Sequence, residues 1–133
     1  MSQLKREIKH PDREVPLGAY SAGVSVDGWV YVSGQGPVDL KEGKVLAGNI
    51  EEQTRLTLLN VEKVLIAAGC TLADVVKCSC YIADISDFDT FNRVYSEFFP
   101  GIRPARTTVQ AVLWGGIRVE VDAIAKIGST EMQ

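Results

Sequence analysis

From Ile117 to Ala125 every second residue is apolar: Ile117, Val119, Val121, Ala123 and Ala125. Arg118, Glu120 and Asp122 stand between the first of them. A period of two marks a strand with one face in a core and the other outside it. The chain must therefore build a sheet and cover one side of it. Two helices for that purpose are written upstream. Asn49 offers a side-chain cap, and Glu52 stands three residues later, as in a capping box. Thr54, Leu58, Val61, Leu65 and Ala68 then recur at helical spacing, and Gly69 follows as a stop. A second helix is expected with Ser86 as its cap and Phe88, Phe91, Val94, Tyr95 and Phe98 as its apolar stripe, ended by Pro100-Gly101.

The remaining strands are read in the same way. Residues 19–26 and 29–34 flank Asp27-Gly28, a two-residue hairpin signal. Residues 74–84 place Val76, Cys78, Cys80 and Ile82 on one face. Residues 105–114 and 117–127 are split by Gly115-Gly116. The glycine-rich stretch "GPVDLKEGKVLAGN" reads as a loop. The expected order is β-β-α-β-α-β-β, an α+β sheet with both helices on one face. Its other face then needs a cover, and aromatic and small apolar residues there favour a partner subunit. The 133 residues suit one domain, with residues 1–14 and 128–133 as flexible tails.

Composition narrows the functions. No apolar run spans a bilayer, and the polar N-terminus lacks a secretory core, so a cytoplasmic protein is expected. A net charge of −3 argues against a phosphate-backbone binder, which needs a basic face. Cys70, Cys78 and Cys80 read as buried thiols in a reducing compartment, since a lone CxC is a weak metal signal. His10 is the single histidine and falls in the expected N-terminal tail. No Ser-His-Asp or Cys-His set is available.

Four places offer chemistry. In "RPARTTVQA", alternation puts Arg106, Thr108 and Gln110 on one strand face, and an arginine fork suits a carboxylate or phosphate. On that pattern alone a solvated rim arginine fits better than a ligand. Glu120 is a candidate general base, although Arg118 and Asp122 make a plain polar face the simpler reading. Ser33 and Gly34, in "SGQGP", offer a hydroxyl and close backbone approach, or a bulged strand end. Tyr20 either binds a ligand through its phenol or packs.

Taken together, "LGAYSAGV", "VYVSGQGPVD", "IEEQTRLTLLNVEKVLIAAG", "DVVKCSCYIADISDFDTFNRVYSEFF", "RPARTTVQ" and "VEVDAIAKI" resemble the YjgF/RidA family in order and spacing. The resemblance covers about residue 15 to 127. It implies a chorismate-mutase-like subunit that forms a homotrimer with sites in clefts between subunits. It implies a 2-iminobutanoate/2-iminopropanoate deaminase-like hydrolase that uses no cofactor and no metal. Such an enzyme turns reactive enamines and imines, such as 2-aminoacrylate and 2-iminopropanoate, into 2-keto acids and ammonia. Other roles in the family are endoribonuclease or translation inhibitor, and a non-catalytic trimer that binds small carboxylates is a third reading. By resemblance, Arg106 grips the substrate carboxylate, Thr108 lines the pocket where many relatives carry cysteine, and Glu120 handles the attacking water. Tyr20, Ser33 and Gly34 fall among the pocket residues.

The chain departs from the pattern at Ala19, Ala22, Gly36 and Asp122, and "VLWGGIR" is about one residue short. Trp114 in that loop stands where it can narrow or reshape the cleft. "FFPGIRPAR" is similar to RutC-type members. A two-residue turn at Gly115-Gly116 would face Glu120 opposite to Arg106. A different loop is expected, one that lets both side chains reach one cleft.

Overall fold

The computed structural model describes residues 4–130. Strands β1 (Arg6–Ile8), β2 (Gly23–Val26), β3 (Trp29–Gln35), β6 (Val75–Ile82), β7 (Ala105–Gln110) and β8 (Val119–Lys126) form one mixed sheet. A separate ribbon pairs β4 (Val38–Asp39) with β5 (Lys44–Val45) inside the expected loop. Helices α1 (Ile50–Ala67) and α2 (Phe88–Phe98) complete the domain. Neither helix is long and apolar enough to cross a membrane.

Local chemistry explains most of these elements. Asp27 and Gly28 hold φ of 51° and 81°, the left-handed pair that a tight hairpin between β2 and β3 requires. The Asn49 side chain accepts from the Glu52 N–H at 2.8 Å, and Glu52 accepts from the Asn49 N–H at 3.0 Å. That reciprocal cap fixes the start of α1. Thr54, Leu58, Val61, Leu65 and Ala68 are all buried, and Gly69 leaves the helix at φ 86°.

The sheet order is β1-β2-β3-β8-β6-β7. The last strand in the chain thus enters between β3 and β6, antiparallel to both, and β7 lies parallel to β6 at the edge. One core joins Val30, Val32, Cys78, Cys80, Val119 and Val121 of the sheet to buried residues of α1 and α2. The other face presents Trp29, Tyr31 and Val109, each more than a third exposed. This is the face expected to need a cover.

Several expectations need correction. A bulge opposite β8 puts Val75 rather than Val76 in the core. Asp84, not Ser86, does the capping before α2. Its carboxylate accepts from the Ser86 N–H and hydroxyl at 2.9 and 2.8 Å and opens a 3₁₀ turn that leads into the helix. A carboxylate is the stronger acceptor, so the turn starts two residues earlier. The strand at 105–114 stops at Gln110. Beyond Ala111 the chain leaves β6 and turns at Trp114–Gly116. Residues 6–14 are not a loose tail: β1 pairs with β2, and Ile8 and His10 are buried. At the other end, Thr130 donates to Asp74 through its N–H and hydroxyl at 3.2 and 3.0 Å. Residues 131–133 of that expected tail lie outside the described residues.

Candidate active site

Glu120 sits in the middle of the alternating strand, and its facing follows from register. It lies opposite Tyr81 on β6 and so points away from the helices. Gly34, near the end of β3, lies against it. A side chain on Gly34 would run into the Glu120 carboxylate, so only glycine leaves that place open. Burial raises the Glu120 carboxyl above the usual glutamate range, and the charge of nearby Asp122 pushes it further. Asp122 in turn accepts a hydrogen bond from the Tyr81 hydroxyl at 3.0 Å.

Glu120, Gly34 and Tyr20 line one cleft of about 330 Å³ together with His10, Asn60 and Trp114. Ser33, next to Gly34 in the chain, is not among the residues that line it. Its hydroxyl donates to the Ser21 carbonyl at 2.6 Å and its N–H to the Ala22 carbonyl at 2.9 Å. Ser33 therefore ties the Tyr20 segment to β3, and its own donor is already used.

The floor of this cleft is a polar network that the sequence reading missed. The Asp12 N–H donates to His10 Nδ1 at 3.0 Å, which leaves the ring proton on Nε2. Nε2 then donates to Asn60 Oδ1 at 3.0 Å, and Asn60 Nδ2 donates to the Gly36 and Val38 carbonyls at 3.0 and 2.9 Å. Burial lowers the His10 pKa and keeps the ring neutral. The signal was present in α1: Gln53 and Asn60, seven residues apart, interrupt the buried helix face with polar groups.

Arg106 belongs to a different place. It registers with Cys78, which is fully buried beneath the helices. Its guanidinium lies 4.7 Å from the Tyr95 ring centre and 5.6 and 5.7 Å from those of Phe88 and Phe91. These rings are the apolar stripe of α2, and their faces attract the cation. Among the described residues, no carboxylate pairs with it and no acceptor takes its donors. Arg106 and Arg103 line a groove of about 420 Å³ with Asn92, Tyr95 and Ser96, and no acid lines it. Asn92, unremarked in the sequence, joins it from α2. Thr108, two residues along the same face, has a buried hydroxyl without a partner. Beneath them, burial pushes the Cys78 and Cys80 thiols up to about 11 and about 12, so neither is a ready nucleophile.

The expectation that Arg106 and Glu120 reach one cleft is overturned within this chain. The loop between them is indeed no two-residue hairpin turn, because β7 and β8 are not neighbours. The reason for their separation is the insertion of β8. Both strands take their register from β6, Arg106 at Cys78 and Glu120 at Tyr81. Those positions are three apart and face opposite ways. The site residues thus fall into two groups: Tyr20, Gly34 and Glu120 on one side, Arg106 and Thr108 on the other.

The α+β chain that carries these two groups is similar to known proteins along most of its length. The family model described as Endoribonuclease L-PSP matches residues 11–127. The chain belongs to this family, the YjgF family. It is 40% identical over 128 residues to the rat 2-iminobutanoate/2-iminopropanoate deaminase, covering 96% of this chain and 93% of that one. It is 47% identical over 112 residues to a RutC family protein of Saccharolobus solfataricus, covering 84% and 89%. The solved structure of E. coli TdcF with bound serine superposes at a TM-score of 0.85 with 34% identity, covering 91% of this chain and 98% of that one. The YjgF gene product of E. coli gives the same score, identity and coverage. The mixed sheet with two helices is therefore the family fold.

Proposed function

We propose that the protein hydrolyses 2-imino acids and their enamine tautomers to 2-keto acids and ammonia, at a site built by two subunits of a homotrimer. One observation carries this reading. The chain holds an unpaired guanidinium on one side of its sheet and a carboxyl of raised pKa on the other. Each half lacks what the other has. The half-exposed aromatic residues on the open sheet face supply a surface for the neighbour. Deaminase relatives at 38–41% identity and the serine held by TdcF support a small amino-acid-derived carboxylate as the ligand.

The chemistry then needs little machinery. Arg106 of one subunit takes the substrate carboxylate in a two-pronged grip. The imine carbon, already electrophilic, lies over Glu120 of the next subunit. Glu120 accepts a proton from water as the oxygen bonds to that carbon, the C=N electron pair moves to nitrogen, and Glu120 hands that proton to the nitrogen. The carbinolamine collapses as Glu120 takes the hydroxyl proton and passes it to the amine nitrogen. The C=O bond forms, the C–N bond breaks and ammonia leaves. For 2-iminopropanoate the balance is imine plus water to pyruvate plus ammonia. A raised carboxyl suits both directions of proton transfer. Tyr20 borders the cleft, and Thr108 lies two residues from the anchor on the same strand face, its hydroxyl buried.

The test is complementation. Arg106→Ala and Glu120→Gln are each expected to be inactive alone, and Glu120→Gln retains keto-acid binding. Unfolding and refolding the two together should restore about a quarter of the sites, because half the subunits bring each intact group. Activity that stays absent in mixed trimers would sink the shared site. Full activity in Glu120→Gln would remove the glutamate from the mechanism. Binding without turnover in the wild type, across several imines, would leave only a carboxylate-binding trimer.

A further inference from the structure

The departure at Trp114 gives the cleft a feature that the reaction itself does not use. Trp114 begins the turn Trp114–Gly116, which carries φ of 61° and 73° at Gly115 and Gly116. Only glycine takes two successive left-handed positions readily. The Ile117 N–H closes the turn on the Trp114 carbonyl at 3.2 Å, and Ile117 is buried. The indole is thus set by a short turn with a buried foot, yet it is 55% exposed. It lines the Glu120 cleft. Leu17 and Tyr20, 52% and 50% exposed, line the same space, with Ala22, Val38 and Leu40 deeper in it.

The geometry of an imino acid assigns this space. Its reacting carbon is planar with three substituents. The carboxylate goes to Arg106 of the neighbouring subunit, and the nitrogen departs as ammonia. The third substituent, the side chain, is left for the apolar part of the cleft beside Glu120. A methyl group occupies a small part of about 330 Å³ and leaves the apolar walls wet. A ring fills far more of it and meets the faces of Trp114 and Tyr20.

We infer that Trp114 is a specificity-determining wall that selects imines with aromatic side chains over 2-iminopropanoate. This rests on the deaminase reading above. The experiment generates imines in situ with an amino-acid oxidase acting on phenylalanine or alanine, and follows their loss by semicarbazide trapping. The wild type is expected to favour the phenylalanine-derived imine by about tenfold or more in kcat/KM, the scale of discrimination an apolar pocket supplies. Trp114→Ala should cut that ratio to about threefold or less, and Trp114→Phe should keep it. A wild type that favours the alanine-derived imine, or a Trp114→Ala variant that keeps the full ratio, overturns the wall. Loss of the ratio in Trp114→Phe as well would point to the turn rather than the ring, and also overturns it. If neither imine is turned over, the deaminase reading falls and binding decides the wall. Phenylpyruvate must then bind about tenfold tighter than pyruvate to the wild type but not to Trp114→Ala.

Discussion

The Glu120 cleft and the Arg106 groove lie in one small domain and are built on opposite principles. The cleft lies among loops and strand ends, is floored by the His10–Asn60 network, and holds an acid whose charge is disfavoured. The groove lies beside the edge strand β7. It holds two arginines with no acid beside them, and three aromatic rings carry Arg106. In the first, the protein has satisfied every polar group of the floor. In the second, it has left a guanidinium unmet. An unmet cation against aromatic rings awaits an anion, and a half-buried acid awaits a proton. The difference teaches that the sheet keeps apart two groups that would neutralise each other if they met directly.

The strongest way to break the comparison is Arg106→Ala. Loss of a charge-assisted carboxylate grip is expected to lower kcat/KM by about 1000-fold, read in a coupled assay, with assembly unchanged by light scattering. A loss below about tenfold would return Arg106 to a solvated rim charge. Next comes Gly34→Ala. The added methyl displaces the Glu120 carboxylate, and kcat is expected to fall by up to about 100-fold with carboxylate binding kept. Unchanged kcat would show that the position of Glu120 is not critical.

Asn60→Ala tests the floor. It leaves the Gly36 and Val38 carbonyls and the His10 ring N–H unpaired, so unfolding stability should drop by about 3 kcal/mol. Denaturant unfolding measures this, and a change near zero would mean that water takes over the bonds.

The smallest effect concerns Glu120 itself. Its folded pKa is raised by burial and then by Asp122, so the folded chain holds that proton more tightly than the unfolded one. The stability it contributes is full below the unfolded value and is lost as pH rises through the folded one. Glu120→Gln should therefore melt higher than wild type at about pH 7, and the gap should close toward about pH 4. A variant that melts lower at neutral pH would contradict the sign.

Much of this was legible before any coordinates. Val119, Val121, Ala123 and Ala125 announce a strand with one buried face, and all four are buried. Asn49 with Glu52 announces the start of α1, and Asp27-Gly28 announces the hairpin. These are local signals, set by backbone geometry and by the nearest few side chains. His10 was misread because its partner, Asn60, is fifty positions away. Val76 was misplaced because a bulge is a property of two strands.

The sequence by itself determined both helices, the main strands of the sheet and the α+β class, because period and caps are properties of short stretches, and it offered Arg106 and Glu120 as candidates. Only the tertiary structure decided where those groups face. Strand order is a long-range outcome of core packing. By setting β8 between β3 and β6, it put Glu120 on one side of the sheet and Arg106 on the other.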